Sequence, residues 1–446
     1  MTINMPQDVR FIIEQLNNAG FEAYAVGGCV RDSLLGREPN DWDITTSATP
    51  YEVKDIFRRT VDTGLKHGTV TVLLKKEGYE VTTFRIDGEY TDHRRPDGVT
   101  FTRELSEDLL RRDFTINAMA YSDKTGIVDL YDGISDLENG IIRCVGNADD
   151  RFDEDALRIM RAVRFAAQLG FEIEEETRAA AAKHAPELVK VSAERIETEL
   201  TKLLLSPHPE KLLDMYELGI TKEILPEFDQ MMMTEQNTPH HKYDVGRHTI
   251  EVIKNVPPTK VMRYSALLHD TGKPACKTTD AGGVDHFKGH AIESEKIAGD
   301  VLRRLKMDND TIRDVKKIVY WHDYGINGVT KKNTLRRMLN QMGAQYFDSF
   351  VAIRRADMKG QSDYNVDIKQ DILENLIRMH DEIIAEGDAL TIKDLKLTGK
   401  DLIQMGIKPG PDMGKILNEL LDKVLEEPEL NTEEGLKNLV NEMVAN

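Results

Sequence analysis

The chain has 446 residues, of which 40% are hydrophobic and 31% charged, a balance typical of folded globular proteins rather than disordered ones. It contains no run of about 18 consecutive apolar residues, which argues against a membrane-spanning helix. The N-terminal stretch lacks the basic start and apolar core of a secretory signal. Three scattered cysteines (Cys29, Cys144 and Cys276) do not suffice for a disulfide framework or a thiolate zinc site. We therefore expect a cytoplasmic protein without membrane contact.

The charge balance is strongly acidic, with 59 Lys and Arg against 78 Asp and Glu and a formal net charge of −19. Such a field repels polyanions, which argues against indiscriminate nucleic-acid binding. It leaves room for a nucleic-acid substrate that is bound by local basic patches. At roughly 150 residues per domain, the length suggests about three domains.

The first 145 or so residues have an α/β pattern. Apolar spacing predicts an opening helix, and short apolar runs bounded by turns predict strands at 23–26, 42–45, 69–74 and 80–84. Residues 85–100 are polar and punctuated by Gly and Pro, so we expect a mobile loop there. From about residue 150 the pattern becomes helical, with helices predicted at 155–169, 193–205, 209–218, 248–254, 262–269, 290–305 and 311–320.

A first motif joins two glycines to a pair of carboxylates. Gly27 and Gly28 follow a predicted strand and precede a helix, so a phosphate could approach backbone N–H groups there, with Arg31 in the first turn. Asp41 and Asp43 form an Asp-x-Asp pair, which we expect on a strand with both side chains on one face. Two such oxygen ligands suit Mg²⁺ that is shared with substrate phosphates. The pair alone would favour surface acids or a turn, and the two glycines about 13 residues upstream are what favour a metal site.

Two later segments add charged groups. Paired arginines precede Asp113 in the stretch that contains Arg112, which could bind triphosphate and ribose hydroxyls or could simply begin a salt-bridged helix. Asp155 and Arg158 are three residues apart and would be neighbours on a helix. They could form an ordinary ion pair, but Arg158 could also donate to a ring nitrogen while Asp155 accepts from an amino group. Cytosine and adenine satisfy both contacts, whereas uracil and guanine do not.

A second constellation of histidines and acids lies downstream. His269 and Asp270 are adjacent at the end of an apolar helix, with His248 upstream and Asp357 in a later helical stretch. Further histidines in the same region are His286, His290 and His322. Imidazole ligands suit transition metals better than Mg²⁺. A helical body that merely retains these side chains is the alternative.

Taken together, the motifs of residues 20–205 resemble those of class II CCA-adding enzymes (tRNA nucleotidyltransferases), whose head is shared with bacterial poly(A) polymerases. The segments that carry the resemblance are GGCVRDSLLG with DWD, VTTFR, DGEYTDHRRPDGVTF, RRDFTINAMA, EDALRIMRAVRF and SAERIETELTKLL. The resemblance implies an α/β nucleotidyltransferase (polymerase-β-type) head followed by an all-α neck, an HD-type helical body and a helical tail. The implied domains are 1–145 for the head, 146–235 for the neck with a nucleotide-selecting motif, 236–365 for the HD-type domain and 366–446 for a tRNA-contacting tail.

The resemblance also implies roles for individual residues. Asp41 and Asp43 match the catalytic metal carboxylates, and the matched nucleotide-binding residues are Gly28, Arg31, Arg112, Asp113, Asp155, Arg158, Arg161 and Arg164. Arg195 and Glu199 match a motif that supports the base-selecting helix, and Glu80 is a weaker candidate at the metal site. The region of about 240–360 resembles HD-type metal-dependent phosphohydrolases, with His248, His269, Asp270 and Asp357 as the metal-binding set and His290 and His322 extending it.

The implied activity is addition of CCA to the 3′ end of tRNA from CTP and ATP, with Mg²⁺ as cofactor and a possible transition-metal ion at the HD site. The loop at 85–100 favours full CCA addition over CC addition alone. The alternatives are a CC-adding, A-adding or poly(A) polymerase activity on the same head, or an HD phosphohydrolase whose head only binds nucleotide and RNA. The oligomeric state stays open.

Overall fold

The computed structural model describes residues 2–88, 98–329 and 331–445. The chain forms two compact units, Met1–Asp229 and Gln230–Asn446. No helix in the described ranges has the length and apolar character that crossing a bilayer requires.

The first unit opens with an α/β head. Its helices and strands are α1 (Gln7–Asn18), β1 (Ala23–Val26), α2 (Gly28–Leu34), β2 (Ile44–Thr46), α3 (Pro50–Ile56), β3 (Thr60–Gly64), β4 (Thr69–Leu74), β5 (Glu77–Thr83), β6 (Arg85–Asp87), β7 (Val99–Phe101), α4 (Leu105–Leu110), β8 (Met119–Ser122), β9 (Gly126–Asp129), α5 (Gly133–Asn139) and β10 (Ile141–Ile142). Seven of these strands form one sheet in the order β3-β4-β5-β2-β1-β8-β9. Within it β2 and β5 run parallel, and the other neighbours are antiparallel.

The head folds around the central strands of this sheet. Every residue of β1 and of β2 is buried, and α1 buries the apolar face formed by Val9, Ile12, Ile13 and Leu16. Thr49 begins α3 with a reciprocal capping box to Glu52, which satisfies backbone N–H groups at the start of that helix. Burial of β1 and β2 places the connection between α2 and β2 at the rim of the sheet.

The remainder of the first unit is mainly helical. It contains α6 (Ala148–Glu154), α7 (Leu157–Leu169), β11 (Glu172–Ile173), α8 (Glu175–His184), α9 (Ala193–Leu204), α10 (Leu212–Glu217) and α11 (Ile220–Ile224), and α12 (Pro226–Met232) runs across the unit boundary. The short strands β10 and β11 pair in parallel. The faces of α7 and α9 pack together, which brings the polar residues of these two helices close to one another.

The second unit is almost entirely helical. Its elements are α13 (Val245–Asn255), α14 (Lys260–Leu268), α15 (Lys273–Cys276), β12 (Thr278–Thr279), β13 (Asp285–His286), α16 (His290–Arg304), α17 (Asn309–Trp321), α18 (Lys332–Met342), α19 (Phe347–Gly360), α20 (Val366–Glu386), α21 (Gly399–Gln404), α22 (Pro411–Glu426) and α23 (Glu433–Ala445). Apolar residues from α17 through α23 form one continuous core. The predicted order of an α/β head followed by a long helical body is confirmed.

Two local predictions in the head were wrong. The strand predicted at 42–45 begins only at Ile44, so Asp41 and Asp43 lie in the extended segment before β2 and not on it. All of β2 is buried, and ionised carboxylates are excluded from such positions. The predicted loop 85–100 is strand at its ends, because β6 pairs with β7 in an antiparallel ribbon. Residues 89–97 lie outside the described residues.

Candidate nucleotide-transfer site and a histidine cluster

Asp41 and Asp43 line a cavity of about 1360 Å³ at the rim of the head sheet, together with Glu80 from β5. Within the described ranges neither aspartate side chain has a hydrogen-bond partner or an ion pair. Partial burial in the cavity wall raises the pKa of Asp43, the positive charge of Arg112 opposes this, and the negative charge of Asp41 adds to it. Two neighbouring carboxylates that repel each other fit a divalent cation, which would relieve the repulsion and supply the missing contacts.

The glycine turn between β1 and α2 requires a left-handed backbone. Gly27 precedes α2 with a φ of 81°, which an L-residue with a side chain adopts only with strain. A Cβ atom at Gly27 would also lie 2.9 Å from Nη1 of Arg112. The glycine therefore lets the Arg112 guanidinium lie directly against the start of α2.

Arg31 is held rigidly at this turn. Its side chain is buried, and Nη1 donates a hydrogen bond of 2.6 Å to the side-chain oxygen of Asn117. A second contact joins Arg31 to Asp32 at 2.8 Å, and the guanidinium lies over the Phe165 ring at 5.0 Å from its centroid. This fixes one guanidinium beside the glycine turn.

Asp113 and Arg161 form an ion pair that is held by two donors. Arg161 donates from Nε at 2.8 Å and from Nη2 to the same carboxylate oxygen of Asp113, whose other oxygen accepts from Asn117 at 3.1 Å. Burial alone would raise the pKa of Asp113, but the charge and hydrogen bonds of Arg161 lower it well below its ordinary value. The carboxylate is therefore ionised at neutral pH.

Asp155 does not lie on a helix, in contrast to the sequence prediction. It occupies the extended step between α6 and α7, with φ −146° and ψ 101°, and one of its oxygens accepts from the backbone N–H of Leu157 at 3.1 Å. The other oxygen accepts from Nη2 of Arg195, which α9 contributes, at 2.6 Å. The bond to the N–H two residues on is an Asx turn, which places the carboxylate just before the start of α7.

Arg158 has other partners than Asp155. Its Nη1 contacts the Glu154 carboxylate and donates to the backbone carbonyl of Arg151 at 3.1 Å, while Nη2 donates to the carbonyl of Arg111 at 3.2 Å. The ion pair between Asp155 and Arg158 that helical spacing suggested is therefore not formed. Each of the two side chains is instead positioned by separate neighbours.

Arg164 lies beside Arg161, since both guanidinium groups lie over the Phe165 ring and Arg161 also comes within 3.9 Å of Glu199. Arg164 is 5% exposed and pairs with the equally buried Glu199 at 2.7 Å, and its guanidinium stacks over Phe165 at 3.6 Å from the ring centroid. The carboxylate partner of Arg164 is thus Glu199, whereas Asp155 is bound by Arg195.

Charge interactions nevertheless connect the carboxylates of the cavity to the α6–α7 region. Burial lowers the pKa of Arg112, and the nearby carboxylates of Asp43 and Asp113 act in the opposite direction. Burial also acts to lower the pKa of Arg161, but Asp113 and, more weakly, Asp155 raise it overall. A row of alternating charges thus consists of Asp43, Arg112, Asp113, Arg161 and Asp155, in which Asp113 and Arg161 are in direct contact and the other neighbours interact through their charges.

Asp108, which none of the sequence motifs singled out, binds the two arginines that follow it. Asp108 is fully buried and contacts Arg111 at 2.8 Å and Arg112 at 3.6 Å, while Thr45 donates to it at 3.1 Å. The signal was present in the sequence, because an acid three and four residues before two arginines is placed to pair with both on a helix.

The second unit brings the predicted histidines together around Asp270. The ligand atoms of His248, His269 and Asp270 lie within 4.8 Å of one another, as do those of Asp270, His290 and His322. Asp357 joins the first trio, with its Oδ1 2.9 Å from Nε2 of His248. His286, in contrast, is exposed and pairs with Asp280 at 2.9 Å.

Local structure explains why these side chains meet. All of α14 after its first two residues is buried, from Met262 to Leu268, so the residues that follow it, His269 and Asp270, lie in the interior. At Gly272 a Cβ atom would lie 2.5 Å from the backbone carbonyl oxygen of His290. Only glycine therefore allows α16 to approach the turn after α14 closely enough to bring His290 to Asp270.

All four histidines of this cluster are oriented by their backbone contacts. In each ring Nδ1 lies against a main-chain carbonyl oxygen, at 3.1 Å for His248, 2.8 Å for His269, 2.8 Å for His290 and 2.7 Å for His322. A proton on Nδ1 leaves the Nε2 lone pair directed at the cluster, which is the arrangement of metal-binding histidines.

Several polar atoms at the centre of the cluster lack a well-directed hydrogen bond in the described structure, namely Nε2 of His248, Nε2 of His269 and both carboxylate oxygens of Asp270. These residues are at most 1% exposed. Asp270 has a charged neighbour, since Nζ of Lys273 lies 2.7 Å from its Oδ2, but the imidazole nitrogens without a directed hydrogen bond are costly to bury. The donor set therefore fits a transition-metal ion.

Comparison with known protein families matches three parts of the chain. The family described as the poly(A) polymerase head domain matches residues 23–143, and the RNA- and SrmB-binding site of polymerase A matches 170–232. Domain 2 of tRNA nucleotidyltransferases matches 290–440. A head of this polymerase type implies dependence on a divalent metal ion.

Full-length relatives support the family assignment. The CCA-adding enzyme of Pediococcus pentosaceus is 38% identical over 447 residues, which covers 98% of this chain and 99% of the relative. The CCA-adding enzyme of Levilactobacillus brevis is 39% identical over 92% of this chain and 91% of the relative.

Solved structures agree in fold. The crystal structure of the Bacillus stearothermophilus CCA-adding enzyme in complex with CTP superposes with a TM-score of 0.70 at 30% identity, covering 98% of both chains. The Thermotoga maritima CCA-adding enzyme complexed with tRNA has a TM-score of 0.62 at 20% identity and covers 99% of this chain, a likeness of fold. The resemblance predicted from the sequence motifs is confirmed: this chain is a nucleotidyltransferase that belongs to the family of CCA-adding enzymes.

Proposed function

We propose that this protein adds the 3′-terminal CCA to tRNA in the cytoplasm, using CTP and ATP without a nucleic-acid template and releasing pyrophosphate. The full-length likeness to CCA-adding enzymes carries this proposal. The row of alternating charges from Asp43 to Asp155 supports it, since it joins a carboxylate pair suited to a metal ion with side chains suited to base recognition.

Asp41 and Asp43 are the proposed ligands of Mg²⁺, whose preference for carboxylate oxygens matches the pair. When bound, the ion would lower the barrier to attack of the RNA 3′-hydroxyl on the α-phosphorus and stabilise the leaving pyrophosphate. Glu80 faces the same cavity and could complete the acidic wall. The unpartnered carboxylates support this assignment.

The triphosphate is proposed to lie at the glycine turn. Gly28 opens α2, and Arg31 and Arg112 bring two guanidinium groups to this place, where a forked donor can bind phosphate oxygens. Asp113 and Arg161 hold each other beside it and are placed to contact the ribose and base. Arg164 contributes by fixing α7 to α9 through Glu199, which makes it a positioning residue in this proposal.

Asp155 and Arg158 are proposed to select the base. Arg158 would donate to the ring nitrogen of cytosine or adenine, and Asp155 would accept from the amino group beside it. Because Arg195 and the start of α7 position Asp155, and Glu154 and two carbonyls position Arg158, neither side chain depends on the other for its orientation. Such preorganisation favours discrimination, since a mismatched base leaves buried groups unpaired.

Single-nucleotide mapping of products tests this function. Purified protein is incubated with tRNA that ends before, within or after the CCA, and CTP and ATP are supplied singly and together. We expect growth by three nucleotides followed by arrest for the first substrate, and no growth for the complete one. A ladder of A residues would indicate poly(A) synthesis, and a stop after two C residues would indicate a CC-adding enzyme.

The histidine cluster favours a second function, a metal-dependent phosphohydrolase in the helical body. His248, His269, Asp270 and Asp357 are the proposed ligands of a transition-metal ion, with His290 and His322 extending the set. The observation that carries this is the common orientation of the four imidazoles towards Asp270. A bound metal would supply an activated water for attack on a phosphate ester. Metal content after loading and release of phosphate from small phosphate esters test this function.

A further inference from the structure

A second cavity, of about 980 Å³, opens beside the histidine cluster. Asp270, His290, His322 and Asp357 form part of its wall. Two cationic side chains that none of the motifs predicted, Arg354 from α19 and Lys369 from α20, line it as well. The apolar residues on its wall include Phe287, Ile368 and Ile372.

Arg354 is unusual because it is both buried and unpaired. Only 6% of the residue is exposed, and within the described part of the chain it has no hydrogen bond or ion pair. It lies one helical turn before Asp357 on α19. Its neighbour Arg355, in contrast, points to the surface and pairs with Glu374 at 2.9 Å.

A buried guanidinium keeps its positive charge, because arginine stays protonated in proteins. Burial lowers the pKa of Arg354, and the negative charges of Asp357 and Asp323, which line the same cavity without forming an ion pair with the guanidinium, oppose this. Lys369 adds a second positive charge to the wall of this cavity. Burial lowers the pKa of Lys369, Asp357 opposes this, and the charge of Arg354 lowers it further. The two cationic side chains line the same cavity.

Buried charges are normally paired, because an uncompensated one costs several kcal/mol. An anionic ligand would remove this cost. Phosphate suits the place, since the planar fork of arginine matches two phosphate oxygens, and Lys369, which donates to Gln361 at 2.8 Å, adds a second positive charge. The cavity is large enough for a nucleotide-sized molecule, and its apolar wall offers a surface to the part that carries the phosphate.

We propose that Arg354 and Lys369 form an anion-binding subsite that receives the phosphate group of a nucleotide-sized phosphate ester beside the histidine cluster. Arg354 is then a specificity-determining residue for phosphate over neutral ligands. This inference rests on the proposed phosphohydrolase function of the cluster, but it concerns residues outside the metal-ligand set.

The test compares Arg354→Gln with Arg355→Gln, which removes the same charge from the adjacent, exposed position. Inorganic phosphate is titrated into the full-length protein by calorimetry, once without metal and once after loading with Co²⁺. The Co²⁺ content and visible absorption spectrum are recorded for each variant. We expect Arg354→Gln to weaken phosphate binding by roughly tenfold or more with unchanged Co²⁺ content, and Arg355→Gln to match the wild type.

The outcomes separate the two proposals. Equal phosphate affinity of Arg354→Gln and the wild type, or no phosphate binding by the wild type, overturns the anion subsite. If the wild type takes up no Co²⁺, the phosphohydrolase function fails, while phosphate binding that still depends on Arg354 upholds the subsite. Loss of Co²⁺ binding in Arg354→Gln would show that Arg354 acts on the cluster itself and would contradict its assignment as an anion-binding residue.

Discussion

Asp113 shows how a single buried carboxylate can join the structure of the site to its pH response. Arg161 binds it through two donors, and this contact lowers its pKa despite the opposing effect of burial. A group whose pKa is lower in the folded than in the unfolded state stabilises the fold above its unfolded pKa. That contribution is lost as the pH falls from about 4, the unfolded value, towards the folded one.

Asp113→Asn should therefore destabilise the protein at pH 7 by about 2–3 kcal/mol, since the Arg161 charge loses its closest partner. The difference from the wild type should shrink as the pH is lowered below about 4. Urea denaturation at several pH values measures both effects. Asp62→Asn serves as the control, because Asp62 forms only an exposed pair with Lys54. A difference that stays constant from pH 7 to pH 3.5 would contradict the assigned pKa shift.

Individual residues also mark where sequence reasoning reaches its limit. The type and spacing of Asp155 and Arg158 identified both residues, but the partner of Asp155 is Arg195, 40 positions later. Packing of α7 on α9 creates that contact, and no local pattern contains it. The sequence indicated which residues belong to the histidine cluster, because His269 and Asp270 are adjacent. It did not indicate how close they come to His290, because that approach depends on Gly272.

At the scale of elements, the turn between β1 and α2 requires glycine at position 27 for two reasons. Gly27 needs a left-handed backbone, and its missing side chain leaves room for Arg112. Gly36 has only the left-handed backbone in common with Gly27, since its φ is 70° and a Cβ atom there would meet nothing within 4 Å. The two glycines thus separate backbone strain from the positioning of Arg112.

Gly27→Ala and Gly36→Ala should each cost about 1 kcal/mol of stability, because both place a side chain in the left-handed region. Only Gly27→Ala should also weaken binding of CTP and ATP, by roughly tenfold, because it displaces the Arg112 guanidinium. Thermal unfolding and equilibrium nucleotide binding measure the two effects. Equal nucleotide affinities for the two variants would contradict a role of Arg112 at the triphosphate.

Helices with a strong apolar period were predicted well. Strands whose limits depend on pairing with other strands were predicted less well. The helices predicted at 193–205 and 290–305 agree with α9 and α16 to within one residue. The start of β2 and the ribbon of β6 and β7 depend on hydrogen bonds to distant strands, which an apolar pattern does not record. The predicted domain limits at 145, 235 and 365 stay predictions.

At the scale of the whole molecule, the two candidate sites lie in different compact units. Asp41 and Asp43 belong to Met1–Asp229, whereas the histidine cluster belongs to Gln230–Asn446. All residues that line each cavity come from the same unit as its site. The two chemistries should therefore be separable by mutation.

Asp43→Asn should reduce nucleotide addition by at least about a thousandfold, since it removes a charged ligand at the reacting centre, and should leave Co²⁺ binding by the cluster unchanged. His269→Ala should abolish Co²⁺ binding and any release of phosphate from phosphate esters, with addition to tRNA unchanged. Product mapping and metal analysis on the same preparations check both. Loss of both activities in either variant would contradict two independent sites.

The central claim is that side chains, rather than a nucleic-acid template, choose the incoming base. Incorporation rates of each of the four nucleoside triphosphates into tRNA lacking CCA test it most directly, in the wild type, in Arg158→Ala and in Arg151→Ala. Arg151 is the matched control, since it also pairs with Glu154 but lies on α6.

We predict that Arg158→Ala lowers the preference for CTP over UTP by roughly 10- to 100-fold, the value of one or two unpaired polar groups, with a smaller loss of CTP binding. Arg151→Ala should keep the wild-type preference. Unchanged selection against UTP and GTP in Arg158→Ala would contradict the account.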